Sequence, residues 1–269
     1  MPDAAFSDPR LAAIFDDLDG ERNDLDGERN DLDLYAELGA RSVVDVGCGT
    51  GSLACRLAAL DVDVVGVDPA EASLDVARRK PAASGVEWIH GDAESLIGRH
   101  ADLAVMTGNV AQVFLDDDQW SRTLRALRSV VRVDGVFAFE TRDPHAQAWR
   151  GWNREQTDGV VATAAGPVER WVEVTALELP LVSFRWTYRF ANDTEVVSDS
   201  TLRFRSRDEL STSLAASGWS IDDVRDAPDR PGRFRSATCE PGTGARRTCP
   251  ITPVRSPTWS CTHRGSESP

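Results

Sequence analysis

The 269-residue sequence contains no apolar run close to the ~18–20 residues that a membrane-spanning helix needs. Met1 to Phe15 has no basic region followed by an apolar stretch, so no secretory signal is read and the cytoplasm is the expected compartment. Positive charge is scarce: 30 Lys and Arg against 44 Asp and Glu leave a net charge of −14. Nucleic-acid binders draw much of their affinity from neutralising phosphates, so this balance argues against DNA or RNA as a partner. Cysteine is also sparse. None of Cys48, Cys55, Cys239, Cys249 and Cys261 forms a C-x-x-C pair, and with four histidines no metal-site spacing is visible. Reduced thiols are the expectation. What remains is a chain with 41% hydrophobic residues, enough for a substantial core.

Two regions stand apart. Residues 17–23 read DLDGERN, residues 24–30 repeat it, and Asp31-Leu32-Asp33 begins a third copy. The period is too short for a repeat architecture. A calcium loop from Asp17 would need glycine at its sixth position, where Arg22 stands. A solvated acidic segment with a local duplication is expected, and Gly20 and Gly27 disfavour a continuous helix there. At the other end, residues from Asp229 on are rich in Pro, Ser, Thr, Gly and Arg, with too few apolar residues for a further core, which predicts a disordered tail.

Between these ends, strand and helix patterns alternate. SVVDV (42–46) predicts a buried strand, and Ser52 to Leu60 a helix. Val62 to Val67 is a second strand ending at Asp68, and Ala70 to Lys80 a second helix. Val86 to His90, Asp102 to Met106 and Val136 to Glu140 continue the strands. Asp92 to Ile97 reads as a short helix. Asp116 to Val131 reads as an amphipathic one with Trp120, Leu124, Leu127 and Val131 on one side. Such alternation predicts a Rossmann-like parallel α/β sheet with helices on both faces, binding ligand at the carboxyl ends of its strands.

The turn after the first strand is G-x-G-x-G: Gly47, Gly49 and Gly51. The dinucleotide fingerprint requires glycine at position 52, which is Ser52. Glycines there let a ligand lie against the backbone. Asp68 ends the second strand 21 residues after Gly47, where a carboxylate can accept both ribose hydroxyls of an adenosine. Asp92 ends the third strand, where it can accept from an adenine amino group while the Ala93 amide donates to the ring. Asp68 and Asp92 equally suit helix N-caps. Polar groups at the tips of three successive strands favour a ligand over three coincidental caps.

Residues 43–54 (VVDVGCGTGSLA), Gly66-Val67-Asp68, Gly91-Asp92-Ala93 and Asp102 to Asn109 together resemble the ordered motifs of the class I, seven-strand S-adenosylmethionine (SAM)-dependent methyltransferases. The resemblance covers roughly residues 35–142. It implies SAM as methyl donor, with Gly47, Gly49 and Gly51 along its methionine side and Asp45 beneath them. It also implies Asp68 at the ribose, Asp92 and Ala93 at the adenine, and Thr107, Gly108 and Asn109 facing the methionine and methyl group. Methyltransferases acting on amino groups of DNA bases carry Asn/Asp-Pro-Pro-aromatic after strand four. Gly108-Asn109-Val110-Ala111 departs from that and, with the acidic charge, points to a small-molecule acceptor. Should the acceptor have to lose a proton, His145 is the candidate base among the residues after strand five, because its intrinsic pKa is near neutral; a surface-loop histidine without a catalytic role is the alternative.

From 143 to 206 the pattern changes. Val182, Phe184, Trp186, Tyr188 and Phe190 alternate with polar residues, and Val168 to Leu179 and Val196 to Phe204 supply flanking strands. An inserted antiparallel β subdomain on the acceptor side is expected, with Trp149, Trp152 and Trp171 as candidate pocket walls. Residues 207–228 then supply the last helix and strand of the core, Arg207 to Gly218 and Trp219 to Val224. The resemblance implies a seventh, antiparallel strand. Arg233 to Cys239 fits it poorly and nothing later fits better, so the seventh strand is in doubt and a replaced C-terminus after Gly232 is the expectation. The resulting organisation is 1–34 acidic segment, 35–142 cofactor core, 143–206 antiparallel subdomain, 207–228 end of the core and 229–269 tail. The competing readings are a SAM-binding protein without catalysis and, against Ser52, an NAD-linked oxidoreductase.

Overall fold

A computed structural model of the chain describes residues 2–26, 39–225 and 258–265. Five strands run in parallel in its main sheet: β1 (Ser42–Val46), β2 (Asp63–Asp68), β3 (Val86–His90), β4 (Ala101–Met106) and β5 (Val131–Arg142). β10 (Trp219–Arg225) and β11 (Thr258–Gly265) complete it, in the order β10-β11-β5-β4-β1-β2-β3. The chain therefore steps outward from β1 in one direction through β2 and β3, and in the other through β4 and β5. The reversal lies between β1 and β4, and in open α/β sheets such a point marks the crevice, outside the carboxyl ends of the strands, where ligands bind.

The strands are short apolar runs because both faces are covered. On one side Val44, Val46, Ala104, Met106, Phe137 and Phe139 pack on a helix over Asp117–Val130 through its buried Trp120, Leu124 and Leu127. On the other, Val43, Val64, Leu103 and Val105 pack on the helix Ser52–Ala58 through Ala54 and Leu57. The helix at 117–130 starts where the Asp116 carboxylate accepts from the Gln119 amide, a capping bond worth about 1 kcal/mol.

A separate antiparallel sheet follows, in the order β6-β7-β8-β9, with β6 at Gly159–Thr163, β7 at Gly166–Glu178, β8 at Leu181–Phe190 and β9 at Glu195–Arg203. β6 is a fourth strand that the sequence pattern did not announce. The helix Arg207–Ala216 then leads back to the main sheet, ended by Gly218 at φ +80°.

Three expectations are corrected. The N-terminal segment is not merely solvated: α1 (Ala4–Ser7) is followed by α2 (Pro9–Asp26), and Leu11, Ile14 and Leu18 are buried against Val161, Val168, Tyr188 and Val196. Their spacing of three and four places them on one helix face. Gly20 does not stop this helix, which runs to Asp26; the cost of one glycine, about 1 kcal/mol, is small beside three buried aliphatic side chains. The seventh strand is present in the stretch expected to be a disordered tail. Thr258–Gly265 pairs antiparallel with both β5 and β10, from Thr258 opposite Arg142 to Gly265 opposite Trp219. Pairing on both sides satisfies its backbone groups along its length, which offsets a modest strand propensity. The expected Arg233–Cys239 strand, the second copy of the repeat beyond Asp26 and the remainder of the tail lie outside the described residues.

Candidate active site

Four strand ends converge on the crevice. β1 delivers Asp45 and then the glycine turn. Gly47, Gly49 and Gly51 sit at φ +73°, +53° and +74°, the left-handed region in which only glycine is unstrained. Gly47 and Gly51 are also spatially obligatory: a Cβ would come within 2.6 Å of Val110 at the first and would collide with the Trp88 ring at the second. Gly49 differs, because nothing lies within 4 Å of the place a Cβ would occupy. The same holds at Gly108, φ +64°, in the turn after β4. Two backbone segments from neighbouring strands therefore present bare, open surface.

Asp68 closes β2 and is buried, with Oδ2 accepting from the Gly49 amide at 2.8 Å and Oδ1 from the Ala70 amide at 2.7 Å. It ties the turn to the next strand; the capping role expected as an alternative is not found, because the helix Glu71–Ala77 has Ala70 as its N-cap and no side-chain capping bond. Each bond uses one acceptor site of a carboxylate that has about four. Burial pushes its pKa up, and the two amides offset this only in part. Asp45 has no such help. It is 1% exposed, and its Oδ1 has no hydrogen-bond partner among the described residues. Burial, with the neighbouring charge of Asp68, pushes its carboxyl up to about 7. The Cys48 thiol, in the same turn, is pushed up by burial and by both aspartates, which leaves it an inert, protonated group.

Asp92 closes β3 with an exposed carboxylate that caps the next turn by accepting from Glu94 N at 3.0 Å, and Ala93 behind it is buried. After β4, Thr107 is half-buried, Gly108 exposed and Asn109 left-handed at φ +67°, with its Oδ1 buried and unpartnered among the described residues. Thus all ten expected cofactor-side residues lie at the carboxyl ends of β1 to β4. His145 lies beyond β5, its side chain 88% exposed, with Nδ1 3.0 Å from Asp143 Oδ1. Trp149 packs edge-on against Phe204, Trp152 packs on Phe184, and Trp171 is buried under Arg154. Of the three, Trp152 meets the end of β5: Arg142 lies over its ring and donates to Gln112 Oε1 at 2.9 Å.

Other participants were not read from sequence. Val110 and Trp88 fill the space that the glycines leave, and Gln112, fully buried, has an unpartnered Nε2 among the described residues. Thr50, between Gly49 and Gly51, is 4% exposed and donates to Asp16 Oδ1 at 2.5 Å. The hydroxyl was visible in the motif; its partner, 34 positions earlier, was not.

Residues 43–135 match a family described as a methyltransferase domain. The match spans the strands and turns that build the crevice. Over 120 residues the chain is 32% identical to the ubiquinone biosynthesis O-methyltransferase of Aromatoleum aromaticum, covering 44% of this chain and 50% of that protein. The chain spans about half the length of the curated relatives it matches. Among solved structures, an S-adenosylmethionine-dependent methyltransferase from Clostridium acetobutylicum superposes with a TM-score of 0.70 at 15% identity, over 94% of this chain and 98% of that one. A sugar N-methyltransferase from Streptoalloteichus sp. superposes with a TM-score of 0.61 at 20% identity, over 84% and 81%. The main sheet and the antiparallel sheet thus share the fold of these solved methyltransferases.

Proposed function

We propose that the protein is a SAM-dependent methyltransferase acting on a small molecule. The observation that carries this reading is the buried Asp45 carboxyl with an unpartnered oxygen beneath a glycine turn whose Gly49 face is open. An unsatisfied buried carboxyl costs stability unless a ligand completes it, and a ligand carrying an amino group does so. SAM fits this cradle, since it combines an amino acid group with a ribose and an adenine. When bound it supplies a methyl group already activated on a sulfonium.

Asp45 and the turn from Gly47 to Gly51 hold the amino acid end in this reading. Asp68 accepts the ribose hydroxyls on the acceptor sites left beside its two amide bonds. Asp92, with the Ala93 amide, holds the adenine, and Thr107 to Asn109 line the methionine side. Positioning then supplies much of the catalysis, because an in-line displacement needs its reactants aligned. His145 is the candidate to take a proton from a hydroxyl acceptor. Asp143 holds one ring nitrogen, which leaves Nε2 for that task.

A small-molecule acceptor is supported by the net charge of −14 and by relatives whose names place them in ubiquinone biosynthesis and on a sugar nitrogen. The test is a panel of hydroxyl- and amino-bearing small molecules incubated with methyl-labelled SAM and the native protein. Label is expected in one chemical class of acceptor, with release of S-adenosylhomocysteine. Tight SAM binding with no transfer to any small molecule would instead support a SAM-binding protein without this catalysis.

A further inference from the structure

We infer that Asp16 is a positioning residue for the cofactor turn, acting through the hydroxyl of Thr50. The inference rests on the SAM reading above. A turn with three left-handed glycines takes its shape without steric penalty, but it has the most conformational freedom to lose when it is ordered. Something must hold it in the binding shape. From inside, Asp68 holds the Gly49 amide. From outside, Asp16 Oδ1 accepts from Thr50 Oγ1 at 2.5 Å and from Ser52 Oγ at 3.2 Å. Lys80 Nζ lies 2.6 Å from Asp16 Oδ2 and donates to Ser52 Oγ at 2.7 Å, which fixes the carboxylate that fixes the turn.

Asp16 is itself firmly placed. It lies on α2, whose Leu11, Ile14 and Leu18 are buried against the antiparallel sheet. Next to it, Asp17 Oδ2 accepts from the Ala164 amide at 2.8 Å, in the turn between β6 and β7. One helix therefore connects the cofactor turn to the sheet on the acceptor side. Two carboxylates grip consecutive residues of the turn from opposite sides, Asp68 at Gly49 and Asp16 at Thr50, so loss of either leaves it half-held.

The test combines calorimetric titration of S-adenosylhomocysteine with amide hydrogen exchange of the cofactor-free protein. A charge-assisted hydrogen bond lost from the turn is expected to weaken binding by roughly 5–20-fold in Asp16→Ala, part of the bond's full worth. Thr50→Val removes the same bond without touching α2 and is expected to weaken binding similarly. The double variant is expected to be no weaker than either single one, as coupled partners require. Asp16→Asn, which keeps an acceptor oxygen, retains most of the affinity. Without cofactor, the Gly49 and Gly51 amides exchange faster in Asp16→Ala, while those of β1 and β4 do not change. Native affinity in Thr50→Val, or unchanged exchange in the turn, overturns the inference; Thr50→Val carries the test should Asp16→Ala not fold. A native chain that binds no S-adenosylhomocysteine defeats the SAM reading instead, and the exchange experiment still decides whether Asp16 holds the turn.

Discussion

Asp45 is the residue on which the chemistry of the site turns. Its carboxyl, pushed up to about 7 by burial and by Asp68, compares with about 3.9 in an unfolded chain. Between those values the folded state keeps a proton that the unfolded chain has released, so Asp45 lowers stability progressively as pH rises from about 4 to about 7, and by a constant amount above. Asp45→Asn is expected to remove that slope, and urea denaturation of both proteins across this window measures the difference. Binding carries the opposite sign. A cationic amino group beside Asp45 favours the ionised form, so cofactor affinity is expected to rise with pH up to about 7 and then flatten, with proton uptake by the buffer below that point. Calorimetry in two buffers of different ionisation heat reads this directly; an affinity that is flat with pH, with no proton released, would remove Asp45 from the cofactor site.

At the scale of elements, α2 unites the two halves of the fold. Ile14, 2% exposed, sits between Leu11 and Leu18 and faces Val161, Val168, Tyr188 and Val196. Ile14→Ala is expected to cost about 2–4 kcal/mol, the usual range for emptying a packed aliphatic site, measured as a shifted denaturation midpoint. A cost below about 0.5 kcal/mol would mean that the helix lies free on the surface. Much of the rest was legible from local pattern. β1 to β5 are short apolar runs because both faces of a parallel strand are covered, and Asp116 announces the helix after it. α2 was not legible, because three aliphatic residues in an acidic stretch identify a helix face only once their partners are known. β11 was not, because its stability comes from pairing with β5, more than a hundred residues earlier, and with β10, and not from its own composition. In the site, glycines and aspartates were readable as motif residues. Val110, Trp88 and Asp16 were not, since each acts on the turn across a long separation in sequence.

On the scale of the whole molecule, the main sheet and the four-stranded antiparallel sheet share the N-terminal segment. Asp3 accepts from Ser200 Oγ at 2.6 Å on β9, and the Phe6 carbonyl accepts from Ser73 Oγ at 2.9 Å beside the cofactor core. The N-terminal segment is thereby hydrogen-bonded to both units. In the proposed function the crevice at the ends of β1 to β4 holds SAM through Asp68 and its neighbours. Calorimetric titration of SAM into the native protein and into Asp68→Ala tests it most directly. Saturable binding of one SAM per chain is expected in the native protein, weakened at least about 10-fold in the variant by loss of hydrogen bonds to a charged acceptor. No binding by the native protein, or equal binding by both, would contradict it.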